Sequence, residues 1–278
     1  MKIQEPEVTL FKQGDCENLH IARCARVCYG SDKTINNEAL CNNLWLNNHR
    51  SMFRHAGVYY KIPINGVFNI EDTYLLFSEY CNVGKDNNYI YISTNRQYAR
   101  EHLEDYSSYE ISVEEAQNTE AFVRNKLIYY TFAIDTGIDI TREYNRKSPN
   151  AIAERSTRYV DFLKKFGILF KKCHWMNGLN LYRRFLVNLM CSLDELFYKI
   201  SRSKYGLNLK PEDARWCLFL DTMSRAVYTY TVEDWEYIIN LRLFNYTGGA
   251  HPDAKIVALK IKEILEDEGY DIVRFSKS

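Results

Sequence analysis

Residues 176–202 constrain the fold more than any other stretch of this 278-residue chain. Leu181, Phe185, Leu189, Leu193, Leu196 and Ile200 recur at three- and four-residue spacing and line up as one apolar stripe. Such a stripe has to be covered by something, and its spacing predicts a long core helix. The chain has enough apolar material to surround it, with 46% hydrophobic and 26% charged residues. Its length suits one large domain, or one domain carrying an insertion.

Charge and hydropathy exclude several classes of function. Lysine plus arginine equals aspartate plus glutamate, 36 against 36. A zero net charge argues against non-specific binding to nucleic acid or to an anionic membrane, because both depend on surplus positive charge. It leaves room for one small anion held by a local arginine cluster. No apolar run approaches the roughly 18 residues needed to span a bilayer. The opening MKIQEPEVTLFKQGD has early acids and no long apolar core, so it does not read as a secretory signal. A cytoplasmic location is expected. The eight cysteines form no C-x-x-C pair and read as reduced, mostly buried thiols. The 22 tyrosines suit clefts and interfaces, though semi-buried packing explains them as well.

Along the chain, 7–12 alternate like a first strand, 17–29 and about 36–48 have helical spacing, and 57–62 read as a strand. Residues 63 to about 126 are polar and tyrosine-rich, with GKDNN and EDYSSYE clusters around a short YIYIST strand and a helix near 95–103. They read as an insertion on a single domain spanning 1–278, too small to be stable without the parent core. A strand at 126–134 leads into a helix at about 138–147. Pro211 opens a helix, 222–230 alternate like a strand, and helices at about 232–244 and 252–267 close the chain, with Gly269 as a stop. The expected class is α+β, a mostly antiparallel sheet flanked by long helices, without the βαβ rhythm or glycine loop of a dinucleotide fold.

Candidate chemistry gathers at 142–159, a donor-rich stretch directly after an apolar strand and helix. Arg146, Lys147, Ser156 and Arg158 suit a phosphate held by charge-assisted hydrogen bonds, or else a solvated helix end with a capping serine. Arg242 falls at i+7 from Trp235 on an apolar helix face, and Arg215 sits just before an apolar run. A buried arginine needs an anion, which is either a structural carboxylate or a ligand. His49, His55 and His251 lie at element boundaries. No third ligand near His49 and His55 completes a metal site, so no metal is expected.

Arg146-Lys147-Ser148, seven residues, then Ser156-Thr157-Arg158-Tyr159 resembles the signature of the flavin-dependent thymidylate synthase (ThyX) family, which runs R-H-R, seven residues, S-x-R-Y. Four more blocks agree in order. Ala25-Arg26-Val27-Cys28-Tyr29 is similar to the family's early A-R-x-C-Y helix, and Asn48–His55 to its G-H-x-S/T-x-x-E-H block. Ala214-Arg215 with Leu241-Arg242 resembles its later A-R and L-R elements, and Ala250-His251-Pro252 its final block.

The resemblance implies a ThyX-like fold and a methyltransferase that turns dUMP into dTMP. FAD would be the cofactor, NADPH and methylenetetrahydrofolate the co-substrates, in a homotetramer with active sites between subunits. Glu143, Arg146, Glu154, Ser156, Arg158, Arg215 and Arg242 would hold dUMP. His49, Ser51, Arg146, Lys147, Ser148, Glu154 and His251 would line the FAD site, with Arg242, Ser156 and His49 closest to the chemistry. The chain departs from the pattern at Lys147 and Ser148, which replace histidine and arginine. It departs again at Arg54, which replaces glutamate, and at Thr231 and Glu233, which replace asparagine and arginine. Nucleotide binding is therefore expected to be kept and flavin or folate handling to be altered. The alternatives are a related enzyme acting on another pyrimidine nucleotide, and a non-catalytic nucleotide-binding or assembly protein on the same scaffold.

Overall fold

The computed structural model describes residues 2–14, 16–30, 36–64, 78–149, 151–165 and 167–276. The first part of the chain runs β1 (Ile3–Gln4), β2 (Glu7–Phe11), α1 (Glu17–Tyr29), α2 (Asn37–Leu46), a 3-10 turn Arg50–His55 and β3 (Gly57–Pro63). Next come β4 (Asn82–Lys85), β5 (Tyr89–Asn95), α3 (Arg96–His102), β6 (Glu110–Ile111), α4 (Val113–Asn118) and α5 (Glu120–Arg124). The second half follows with β7 (Tyr129–Gly137), α6 (Ile138–Tyr144), β8 (Ile152–Glu154), α7 (Phe162–Lys165) and β9 (Phe170–Lys171). It ends with α8 (Leu181–Arg202), α9 (Pro211–Ala214), β10 (Met223–Thr231), α10 (Val232–Arg242) and α11 (Pro252–Asp267).

Local chemistry sets these boundaries. The Asn36 side chain caps α2 by accepting from the Glu38 amide at 3.0 Å. Thr231 does the same for α10 through the Asp234 amide at 3.2 Å. Gly269, at φ 93°, takes the left-handed conformation that stops the chain after α11. The GKDNN cluster is the β4–β5 turn, where Asp86 Oδ1 accepts from the Asn88 and Tyr89 amides, both at 2.8 Å.

Two antiparallel sheets result, as the α+β reading expects. The first has the order β2-β7-β10-β8, with β7 and β10 paired along their whole length from Met223↔Gly137 to Thr231↔Tyr129. One face packs on α10 and α11, burying Phe132, Ile134, Ala226 and Tyr228 against Trp235, Ile239, Val257 and Ile261. Trp235 fills this core edge-on to Phe132 and donates Nε1–H to the Tyr130 carbonyl at 2.9 Å. Truncating it to alanine should cost on the order of 3–5 kcal/mol. The second sheet, β4-β5-β3-β6, is built from β3 and the polar segment that follows it. That segment holds more structure than one strand and one helix, although its residues 65–77 lie outside those described. It leans on the main core: Tyr91, Ala116 and Phe122 belong to the same apolar cluster as Phe132 and Trp235. Ser93 Oγ also donates to the Leu127 carbonyl at 2.6 Å.

The long helix α8 forms, but its stripe is not in the core of the chain. The inward seam is Cys191, Asp194, Tyr198 and Ser201. Leu181 is 85% exposed and Phe185 61%, and Leu189, Leu193, Leu196 and Ile200 are also exposed. Periodicity states that a helix face needs cover, and it is silent on whether the same chain provides it.

Candidate functional site

Strand β7 feeds straight into α6 at Gly137, where a Cβ would collide with Asp139 Oδ1. The strand thus fixes the direction of α6, and the last turn of α6 carries the first group of site residues. Arg242, at the end of α10, has a side chain only 12% exposed. Its terminal nitrogens donate to Glu143 Oε2 at 3.0 Å and to the Glu143 carbonyl at 2.6 Å. The anion that this arginine requires is therefore a carboxylate of the chain itself. A guanidinium has five donors. Glu143 engages two of them. Glu143 Oε1 also accepts from Arg146 at 3.1 Å, while the Arg146 side chain stays 67% exposed.

The next residue points elsewhere. Lys147 Nζ lies 2.7 Å from Asp234 Oδ1 in the first turn of α10. The replacement lysine thus ties the 146–148 loop to that helix. Ser148 is exposed, and Asn150 lies outside the described residues. Beside this loop is a small polar cleft lined by Arg54, Asn82, Tyr129, Pro149, Thr229 and Tyr230. Among the described residues, the buried Tyr230 hydroxyl has no hydrogen-bond partner there. Arg54 donates to Gln97 Oε1 at 2.8 Å and stands over the Tyr80 ring.

Glu154 sits on the edge strand β8 and accepts from Thr141 Oγ1 of α6 at 2.9 Å. Burial pushes its carboxyl above the ordinary range, and the bond from Thr141 opposes that shift. Two residues on, Ser156 Oγ accepts from the Arg158 and Tyr159 amides at 3.1 and 3.2 Å. The serine therefore caps its own turn and keeps its hydroxyl proton for another partner. Arg158 donates to Glu212 at 2.8 Å, and Arg215 to Thr157 Oγ1 at 3.1 Å. Ser156, Arg158 and Arg215 thus form a second group, docked on α9 and the 3-10 turn Arg215–Cys217. Among the described residues no side-chain contact joins this group to Glu143, Arg146 and Arg242.

The histidines separate. His49 and Ser51 are exposed at the start of the 3-10 turn, while His55 is fully buried with Nδ1 2.8 Å from Thr229 Oγ1. His20 completes a polar chain through Thr131, whose hydroxyl lies 2.8 Å from that of Thr229. Burial lowers His55 to a pKa of about 3 and His20 to about 4, so both are neutral. His251 caps α11, accepting from the Asp253 amide at 3.2 Å. It faces His174 at the Asp139 end of α6, opposite the Glu143 end.

Sequence reasoning missed Asp234, Tyr230, Thr229 and Lys171. The first three occupy ordinary strand and helix positions, and no spacing rule marks them. Lys171 sits beside Phe170 in a two-residue strand, and its partners are up to 82 residues away.

The model of the family described as thymidylate synthase complementing protein (Thy1) matches residues 125–268, just over half of the chain. The chain belongs to this family. Membership places it among the thymidylate synthase class of methyltransferases. The matched region holds both arginine groups, the 146–148 loop and His251, and it begins at the end of the polar segment. No curated protein matches the sequence significantly. Among solved structures, the UMP/dUMP methylase PolB from Streptomyces cacaoi bound with 5-Br dUMP is similar at 13% identity. That alignment covers 96% of this chain and 93% of the other, with a TM-score of 0.43. No helix among the described residues is long and apolar enough to cross a membrane.

Proposed function

We propose that this protein is a flavin-dependent thymidylate synthase. It would methylate dUMP to dTMP with methylenetetrahydrofolate, FAD and NADPH. The observation that carries the reading is Arg242, an almost buried guanidinium fixed by Glu143, in a chain of the Thy1 family. A cation held rigidly at that point stabilises the N3-deprotonated uracil ring, whose charge develops beside it. Arg146 extends the same group toward solvent. Ser156, Arg158 and Arg215 offer a hydroxyl and two guanidiniums to the phosphate. Glu154, on β8, offers a carboxyl two residues before Ser156.

The donors around the 146–148 loop fit FAD. His49, Ser51, Arg146 and Ser148 are exposed, and among the described residues the Tyr230 hydroxyl has no partner in the adjoining cleft. Arg146 and Ser148 would hold the cofactor's diphosphate, with His49 and Ser51 on the facing turn. Reduced FAD, when bound, supplies the hydride that completes the methyl group. Lys147 contributes through its ion pair with Asp234, which anchors the loop. His251, at the other end of α6, would reach the flavin only from a neighbouring subunit.

That geometry supports a homotetramer with shared sites. The two arginine groups are separate within one chain. Besides the exposed stripe of α8, Trp216 and Leu220 are exposed close to Arg215 in sequence. Covering these apolar residues would bring a second subunit to the phosphate group. The polar segment 63–126 is, in this reading, an insertion on the single domain.

The test is a product assay with dUMP, methylenetetrahydrofolate, FAD and NADPH. Formation of dTMP and a flavin absorption spectrum are expected. A protein that takes up no FAD and makes no dTMP overturns the reading. Turnover of a different pyrimidine nucleotide would move it to the related-enzyme alternative.

A further inference from the structure

Around Lys171 lies a charge cluster of which the proposed chemistry uses only His251. Lys171 Nζ is 2.7 Å from Asp139 Oδ2, 3.3 Å from Asp221 Oδ1 and 2.7 Å from Asp253 Oδ2. One ammonium among three carboxylates leaves a surplus of two negative charges. The Asp253 side chain is 1% exposed, as deeply buried as the lysine. Its other side faces two imidazoles. His174 Nδ1 is 3.0 Å from Oδ1, and His251 Nδ1 is 4.0 Å from Oδ2. The rings meet edge-to-face at 82°, with centroids 5.6 Å apart. One ligand atom from each of His174, His251 and Asp253 lies within 4.8 Å of the other two.

We propose that His174, His251 and Asp253 bind a divalent transition-metal ion of the Zn2+ class, with a fourth position open to water. Two imidazole nitrogens and one carboxylate oxygen are a donor set that zinc accepts in tetrahedral geometry. Ligand atoms around such an ion lie roughly 3.3 Å apart, from metal–ligand distances of about 2.0–2.1 Å. The His174–Asp253 pair already meets this spacing. The His251 ring, 47% exposed, has to release the Asp253 amide that its Nδ1 now accepts and move toward the carboxylate, whose Oδ2 is 4.0 Å away.

The carboxylate is oriented before any ion arrives. Lys171 donates to Oδ2, and the His174 amide donates to Oδ1 at 2.7 Å. Such outer partners fix a ligand's direction. The ion takes the place of the hydrogen between His174 Nδ1 and Asp253 Oδ1, and the neutral ring then carries its hydrogen on Nε2. A divalent charge also cancels the surplus around Lys171. The bound ion clamps the 171–176 segment to the start of α11, apart from the arginine groups.

Calorimetric titration of the metal-free protein with Zn2+, and of the same protein with Co2+ followed by visible spectroscopy, tests this. One ion per chain and a cobalt spectrum without a thiolate charge-transfer band are expected. His174→Ala and His251→Ala, both at half-exposed positions, should each weaken binding by tenfold or more while leaving the circular dichroism spectrum unchanged. Absence of binding, binding indifferent to both substitutions, or a thiolate band from the cysteines would overturn the proposal. None of these readouts depends on dUMP turnover.

Discussion

Arg242 is the residue at which fold and proposed chemistry meet, because its tether to Glu143 leaves it charged and aimed. Arg242→Ala should lower dUMP-dependent turnover by about 10²–10³-fold, the usual cost of removing one preorganised charge donor. Arg242→Lys should not restore it, since an ammonium cannot span the Glu143 carboxylate and carbonyl while presenting further planar donors. Steady-state kinetics with dUMP decide, and full activity in the alanine variant would refute the assignment.

A second residue-scale expectation concerns pH. His20 and His55 have folded pKa values of about 4 and about 3, below the unfolded value near 6.5, because burial disfavours their charged forms. Below about pH 6.5 the unfolded chain binds these protons and the folded chain does not, so stability falls as pH drops through that window. Asp194 works in the opposite direction. Burial raises it to about 6, so below that pH the folded chain takes up a proton that the unfolded chain does not yet bind. The net loss between pH 7 and pH 5 should be roughly 2–3 kcal/mol at about 1.4 kcal/mol per group per pH unit. Urea midpoints at the two pH values measure it, and equal midpoints would show that the histidines are not held neutral.

At the scale of elements, α8 carries the clearest expectation. Its inward seam is Cys191, Asp194, Tyr198 and Ser201, and its apolar stripe points away from the chain. If that stripe is a subunit interface, Leu193→Glu should dissociate the assembly while α8 stays helical. A leucine buried between subunits contributes about 1.5–3 kcal/mol, and a charge in its place adds a desolvation penalty. Light scattering coupled to size exclusion would show a smaller species with unchanged far-ultraviolet circular dichroism. A wild-type protein already monomeric at micromolar concentration would remove the basis for shared sites. The Lys147–Asp234 pair also belongs to this scale, since it joins the 146–148 loop to α10. Both side chains are about a quarter exposed, so Lys147→Ala should cost at most about 1 kcal/mol of stability. Its larger effect should be on FAD affinity, with dUMP affinity little changed.

For the whole molecule, nucleotide binding and folding are linked. A ligand that binds only the folded state adds about 2.7 kcal/mol at a concentration one hundred times its Kd. dUMP should therefore raise the melting temperature, and deoxyuridine, which lacks the phosphate, should do so far less. Equal shifts with both ligands would mean that Ser156, Arg158 and Arg215 do not read the phosphate.

What was legible in the sequence is local: several helices and the family. Periodicity placed α1, α2, α10 and α11 within a residue or two, and Pro252 and Gly269 marked the ends of α11, because capping and amphipathic spacing are local chemistry. The order of blocks from Ala25 to Pro252 gave the family for the same reason, since each block is contiguous. Three things depended on the tertiary structure. It decided that the stripe of 176–202, the strongest helical signal in the chain, faces outward. It decided that Arg242 is answered by Glu143, and that Lys147 is answered by Asp234. And it brought Lys171, His174, His251 and Asp253 together from opposite ends of the second half. Each of these turns on which distant residues meet or fail to meet, and spacing along a chain carries no information about which distant partner will satisfy a buried charge or cover an apolar face.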